Sequence, residues 1–207
     1  MNTEQITGLI LAGGRGTRMG HVDKGLQNFR GAPMALHVML RLQPQVGELM
    51  INANQNLAPY ESFGVPVWPD EMQGYAGPLA GMQTGLIHCT TDYMVTAPCD
   101  SPFLPTDLVQ RLADGLFGAD ADLAVAVTGA DDGEAENGTR QVHPVFCLMK
   151  ASLLQHLSEY LRDGGRKVDG WYASLKTVEV EFADEAAFRN INTMAELKQY
   201  EPAPGQQ

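Results

Sequence analysis

A chain of 207 residues, 44% of them apolar, is long enough for one α/β domain with a sizeable core. Its net charge of −11 makes it a poor nonspecific binder of nucleic acid, whose affinity rests on phosphate neutralisation. No stretch approaches the roughly 18 consecutive apolar residues of a membrane helix, and no basic region followed by an apolar run marks a secretory signal, so the expected location is the cytoplasm, with no membrane partner.

Taken in chain order, Ile6–Leu11 (ITGLIL) is a short apolar run ending in glycines, the pattern of a buried parallel strand. Pro33 stands where a helix can start, with Met34, Val38 and Leu42 at helical spacing. Glu48–Ala53 and Val65–Trp68 are the next strands, and Gly77–His88 is a helix carrying Leu79, Met82 and Leu86. Tyr93–Ala97 is another buried strand. A helix begins near Thr106, and Leu123–Val127 is again a strand. Gly129–Gln141 is polar, acidic and Gly-rich, the composition of a mobile loop. Val145–Met149 is apolar. Leu153, Leu154, Leu157, Tyr160 and Leu161 form a helical stripe. Thr177–Phe182 alternates as an edge or antiparallel strand does. Thr193-x-x-Glu196 is a capping box for a last helix. Residues 1–200 are read as one domain, and Glu201–Gln207, with two prolines, as a frayed tail.

This alternation predicts a Rossmann-like three-layer α/β/α fold around a mostly parallel central sheet. Ligands of such sheets bind beyond the carboxyl ends of the strands. That rule brings together Ala12–Lys24, Asn52–Asn54, Pro69–Gly81 and Pro98–Pro102. Cys89, Cys99 and Cys147 are too few and too scattered for a disulfide framework or zinc site, and read as buried thiols.

The first loop, LAGGRGTRMGHVDKGL, places glycines at 13, 14, 16 and 20, where backbone N–H groups can approach a phosphate chain. Arg15, Arg18 and Lys24 supply local positive charge, and Arg162, Arg166 and Lys167 form a second basic cluster. A Walker loop needs Gly-Lys-Ser/Thr, which is missing. Gly14, Gly16 and Gly20 give one residue too many for a dinucleotide fingerprint, and the second strand ends in asparagine rather than an acidic residue.

L-A-G-G, then R-M-G, then D-K resembles the nucleotidyltransferases that activate sugars and pterin cofactors. Gly77-Pro78-Leu79-Ala80-Gly81, Pro98-Cys99-Asp100-Ser101-Pro102 and Asn190-Ile191-Asn192-Thr193 follow in order. With the short length, the chain resembles the molybdenum cofactor guanylyltransferases over about residues 6 to 198. The resemblance implies a single α/β domain that uses GTP and a divalent metal, Mg²⁺, to attach GMP to the terminal phosphate of molybdopterin, with release of pyrophosphate. It places Leu11, Ala12, Gly13, Gly14, Lys24, Asn52, Asp70, Gly77, Pro78, Gly81 and Asp100 around the nucleotide, and Asp100 on the metal. Arg18, Lys24 and Asp100 are the expected catalytic groups. Arg166, Asn190 and Asn192 are expected on the pterin side, though the two asparagines could instead cap the last helix. Molybdoenzyme maturation chaperones are further candidate partners. Gly129–Gln141 is longer and more acidic than the family pattern before His143-Pro144.

The chemistry of the residues agrees with this. Transfer between phosphates is mostly positioning and charge stabilisation, and an acceptor phosphate already ionised near neutral pH requires no general base. Competing readings keep the fold with another specificity, as cytidylyltransferase or sugar-phosphate nucleotidyltransferase, or make the chain a non-catalytic GTP-binding maturation adaptor.

Overall fold

The computed structural model describes residues 2–14, 23–72, 77–129, 140–193 and 196–197. The acidic loop 130–139, the tail 201–207 and the phosphate-loop residues 15–22 lie outside them. In chain order the elements are β1 (Ile6–Leu11), β2 (Asn28–Phe29), β3 (Ala32–Pro33), α1 (Met34–Leu42), β4 (Glu48–Asn52), α2 (Leu57–Glu61), β5 (Val67–Trp68), α3 (Pro78–His88) and β6 (Tyr93–Pro98). After them come α4 (Leu108–Gly118), β7 (Leu123–Thr128), β8 (Gln141–Lys150), α5 (Leu154–Arg162), α6 (Val168–Tyr172) and β9 (Thr177–Phe182). The seven-stranded sheet runs β5-β4-β1-β6-β8-β7-β9, with β2 and β3 as a separate antiparallel pair. Among the described strands of this sheet, only β8 opposes its neighbours, pairing antiparallel with both β6 and β7.

Alternation along each strand sends side chains into two cores, as the period of 2 requires. Ile6 and Ile10 of β1, Val95 and Ala97 of β6, and Phe146 and Leu148 of β8 face the core shared with α1 and α4. Leu9, Met94, Cys147 and Met149 face the opposite core, closed by Leu79 and Met82 of α3, Leu157 and Leu161 of α5, and Trp171 of α6. Both faces of the central strands are thus covered, which is why they read as continuous apolar runs. The expected three-layer α/β/α architecture is the one observed.

Two details add to the expectation. Of the two readings of Thr177–Phe182, edge or antiparallel, the edge holds: β9 is one of the two edge strands and pairs parallel with β7. The apolar run at 145–149 is the second half of a longer strand, β8. Its ladder with β7 skips between Val125 and Ala126, opposite Cys147 and His143. Pro144 lies in that skip and has no N–H to donate to a ladder. Cys99 and Cys147 are buried free thiols, while Cys89 is half-buried. No described helix is long and apolar enough to cross a membrane.

Candidate active site

Three parallel strands stop level with one another. Leu11 stands opposite Asn52 on one side and Pro98 on the other. The ladder runs one step further: Ala12 N donates to Asn52 O at 2.8 Å, and Cys99 N to Leu11 O at 3.1 Å. The loop after β1, the Asn52–Asn54 corner, Asp70 beyond β5 and Asp100 beyond β6 therefore leave the sheet along one edge.

A polar network braces the first half of this edge. Asn52 Nδ2 donates to Trp68 O at 3.1 Å and to Asp70 Oδ1 at 2.9 Å. Asn54 Nδ2 donates to Asp70 Oδ2 at 2.8 Å and to Gly13 O at 3.2 Å, while Asp70 N returns a bond to Asn54 Oδ1 at 2.8 Å. Each carboxylate oxygen of Asp70 thus has a donor, and the loop after β1 is tied to two other strands. Gly77 is the N-cap of α3 and Pro78 its first residue, where a missing N–H costs no helix bond. Gly81, one turn on, lies against this network. A methyl group there would meet Asn52 Oδ1 and stand 2.6 Å from Leu11 Cδ2.

That approach gives a direct prediction. Leu11 can yield, but Asn52 is held by two bonds and cannot move without breaking them. Gly81→Ala is expected to destabilise the protein by about 1–3 kcal/mol, as overpacking does, although alanine is the better helix former by roughly 1 kcal/mol. Thermal unfolding checks it. An unchanged or raised melting temperature would show that the fit is not as close as this.

The second half of the edge centres on Lys24. Its ammonium donates to Asp100 Oδ2 at 3.2 Å and to Asn192 Oδ1 at 2.6 Å. The side chains of Lys24 and Asp100 are 21% and 11% exposed, so the pair is largely sheltered from solvent screening. The C-terminal segment is pinned beside it. Ile191 N donates to Asp100 O at 2.8 Å, and Ser101 Oγ to Asn190 Oδ1 at 2.5 Å. The capping box forms as expected: Glu196 N donates to Thr193 Oγ1 at 3.1 Å, and Thr193 N to Glu196 Oε2 at 2.9 Å. Asn192 N also donates to Glu196 Oε2, at 2.7 Å. These backbone donors, that of Asn192 first, hold the Glu196 carboxyl below its usual range. The cap is therefore Thr193, and the Asn192 side chain is left to meet Lys24. The helix that the box introduces lies mostly outside the described residues.

Leu11, Ala12, Gly13, Gly14, Asn52, Asp70, Gly77, Pro78 and Gly81 thus belong to one half of the edge, and Lys24, Asp100, Asn190 and Asn192 to the other. Arg166 is placed differently. It is exposed, and its Nη1 donates to Leu161 O at 2.9 Å, a carbonyl of the last turn of α5, and to Gly165 O at 2.6 Å in the loop that follows. Arg15 and Arg18 fall outside the described residues. Sequence reasoning gave no individual role to Asn54 or Ser101. The two-residue spacing of Asn52 and Asn54 is the signal that could have found the first, since such a pair faces the same side of an extended segment.

His143 supports the C-terminal segment. It is buried, stacks on Phe188 with centroids 4.6 Å apart, and shares a 2.8 Å hydrogen bond between its Nε2 and Thr128 Oγ1. Burial pulls its pKa below the ordinary 6.5, partly countered by Glu185. The unfolded chain therefore takes up this proton first. Stability from this group is complete above about pH 6.5 and is lost as pH falls through the lowered folded value. Melting temperatures measured from pH 8 to 5 should fall more steeply below that point in the native protein than in His143→Gln. Parallel profiles would contradict this.

The chain matches the MobA-like NTP transferase domain over residues 8–178. It belongs to that family. Members similar to it include the molybdenum cofactor guanylyltransferase of Cupriavidus necator, 61% identical over 198 residues that cover 96% of this chain and 97% of the relative. The protein of the same name from Ralstonia nicotianae is also 61% identical, over 95% of this chain and 96% of the relative. The crystal structure of molybdopterin-guanine dinucleotide biosynthesis protein A from Archaeoglobus fulgidus shares the fold, with a TM-score of 0.72 at 22% identity over 94% of this chain and 96% of that one. The nucleotidyltransferase fold here is built on a mostly parallel sheet.

Proposed function

We propose that this chain transfers GMP from GTP to the terminal phosphate of molybdopterin, releasing pyrophosphate and forming the guanine dinucleotide form of the molybdenum cofactor. The observation that carries the reading is the meeting of Lys24, Asp100 and Asn192 at the carboxyl edge of the sheet. It is supported by relatives 61% identical over nearly the whole chain that are named guanylyltransferases. Those names do not favour the cytidylyl or sugar-phosphate alternatives.

In this reading the loop Leu11–Gly14, Asn52, Asp70 and the Gly77–Gly81 turn form the nucleotide pocket. Lys24 and Arg18 neutralise the triphosphate and the departing pyrophosphate. Lys24 also sits at the boundary between donor and acceptor, since its ammonium touches both Asp100 and Asn192. Asn190 and Asn192 face the acceptor, and Arg166 joins them on the strength of the family resemblance alone.

Among the described residues no three His, Cys, Asp or Glu side chains come together as a metal cage. Asp100 offers a single hard carboxylate, which would suit Mg²⁺, an ion that keeps several waters and is held by one or two carboxylates together with substrate phosphates. When bound, Mg²⁺ supplies charge stabilisation on those phosphate oxygens. The protein aligns the acceptor oxygen with the α-phosphorus and keeps the charges in place. The acceptor phosphate needs no base because it is already ionised.

Cytoplasmic location and transfer of the product to maturation chaperones belong to the same proposal. Calorimetric titration with GTP, CTP and ATP in the presence of Mg²⁺ tests the specificity. Tightest binding of GTP is expected, and preference for CTP would favour the cytidylyltransferase reading.

A further inference from the structure

Asp23 immediately precedes Lys24 and is only 9% exposed, a costly place for a carboxylate that the proposed chemistry does not use. Both its oxygens have donors. Tyr60 Oη, on a fully buried ring, donates to Oδ1 at 2.5 Å, and Asn56 Nδ2 donates to Oδ2 at 3.1 Å. The Asp23 carbonyl accepts from Gln27 Nε2 at 3.2 Å. Burial above all, then the neighbouring Cys99 and the bond to Asp23, push the Tyr60 phenol far above its usual range, so it remains the donor.

The residue after Lys24 is clamped by the same groups. A methyl group on Gly25 would run into Tyr60 Oη and stand 3.2 Å from Cys99 Cβ and Sγ. Cys99 is the residue before Asp100. The neighbours of Lys24 on both sides therefore rest on Tyr60, and one of them rests on the neighbour of Asp100. A lysine side chain has four rotatable carbons, so where its ammonium arrives depends on how firmly its backbone is held.

We infer that Asp23 is the positioning residue for Lys24: bonded to Tyr60 and Asn56, it fixes the backbone from which the Lys24 ammonium reaches Asp100 and Asn192. The inference rests on the proposed role of Lys24 as the cation that binds the triphosphate. It implies that Asp23 affects nucleotide binding only through Lys24, whereas a purely structural residue would act independently of it.

A double-mutant cycle separates the two. GTP affinity with Mg²⁺ and the melting temperature are measured for the native protein, Asp23→Asn, Lys24→Ala and the double variant. Asp23→Asn keeps the shape but turns one oxygen into an amide that faces a donor. It is expected to weaken GTP binding about tenfold in the native background, and less than about twofold when Lys24 is already alanine. The loss of melting temperature should be the same in both backgrounds. A tenfold effect that persists without Lys24, or native GTP affinity in Asp23→Asn, would overturn the inference while leaving Lys24 as a GTP ligand. Native affinity in Lys24→Ala would sink the role of Lys24, and the inference with it. Should Asp23→Asn fail to fold, Tyr60→Phe carries the same test. It removes one of the two side-chain bonds to Asp23, with about threefold weaker binding expected in the native background and none in the Lys24→Ala background.

Discussion

Asp100→Asn is expected to lower turnover about a hundredfold or more, the size of effect seen when one fixed electrostatic group is taken from a transition state. The substitution is close to isosteric. The backbone carbonyl that accepts from Ile191 at 2.8 Å is untouched, so the C-terminal segment stays in place. What disappears is one negative charge that is 11% exposed and faces the Lys24 ammonium at 3.2 Å. In the proposed site Mg²⁺ would lose its carboxylate, and raising Mg²⁺ should recover part of the rate. GTP is expected still to bind through the loop and Lys24. Turnover measured against Mg²⁺ concentration checks this, and an active variant with the native metal dependence would remove Asp100 from the metal site.

Lys24→Ala is expected to weaken GTP binding by about 10- to 150-fold, which corresponds to roughly 1.5–3 kcal/mol for one charge-assisted phosphate contact. The structure adds a second consequence. Asp100 and Asn192 both lose their donor, at about 1–3 kcal/mol if neither finds a replacement. For a chain of this size each kcal/mol lowers the melting temperature by roughly 2–4 °C. The variant should therefore remain folded at ordinary temperature while its nucleotide binding collapses. Titration calorimetry and thermal unfolding on one preparation distinguish the two effects. Native GTP affinity would refute the phosphate-loop assignment.

The parts of the fold that could be read from the sequence are those governed by local periodicity. Ile6–Leu11 and Tyr93–Ala97 are apolar on both faces because helices cover both sides of the sheet, and such runs admit few other readings. Met34, Val38 and Leu42 are spaced for one helix face and form it. The direction of β9 could not be read in this way, because alternation reports which faces are buried and not which neighbour is parallel. Likewise, Arg166 is a cation in a loop by sequence, but only three-dimensional structure shows its Nη1 turned onto the Leu161 carbonyl in the last turn of α5 and the Gly165 carbonyl just beyond it.

The site divides along the same line. The glycines and Lys24 announce themselves through spacing. Asn52, Asp70 and Asp100 were found through family motifs, and each stands at the strand edge that the parallel sheet predicts. Asp23, Tyr60 and Asn54 were missed as individual contributors because their work is done by contacts between residues 16 to 41 positions apart. The D-K pair helps mark the family, but neither its aspartate nor a tyrosine in a short helix shows a role of its own until Tyr60 Oη and Asp23 Oδ1 are seen at 2.5 Å.

Pyrophosphate release tests the central claim most directly. The full chain is incubated with GTP and Mg²⁺, and pyrophosphate is followed before and after molybdopterin is added, with CTP in a parallel reaction. Release is expected to start on addition of molybdopterin, to be matched by formation of the guanine dinucleotide, and to be much slower with CTP. Tight GTP binding without any molybdopterin-dependent pyrophosphate would contradict it and make the chain a GTP-binding adaptor.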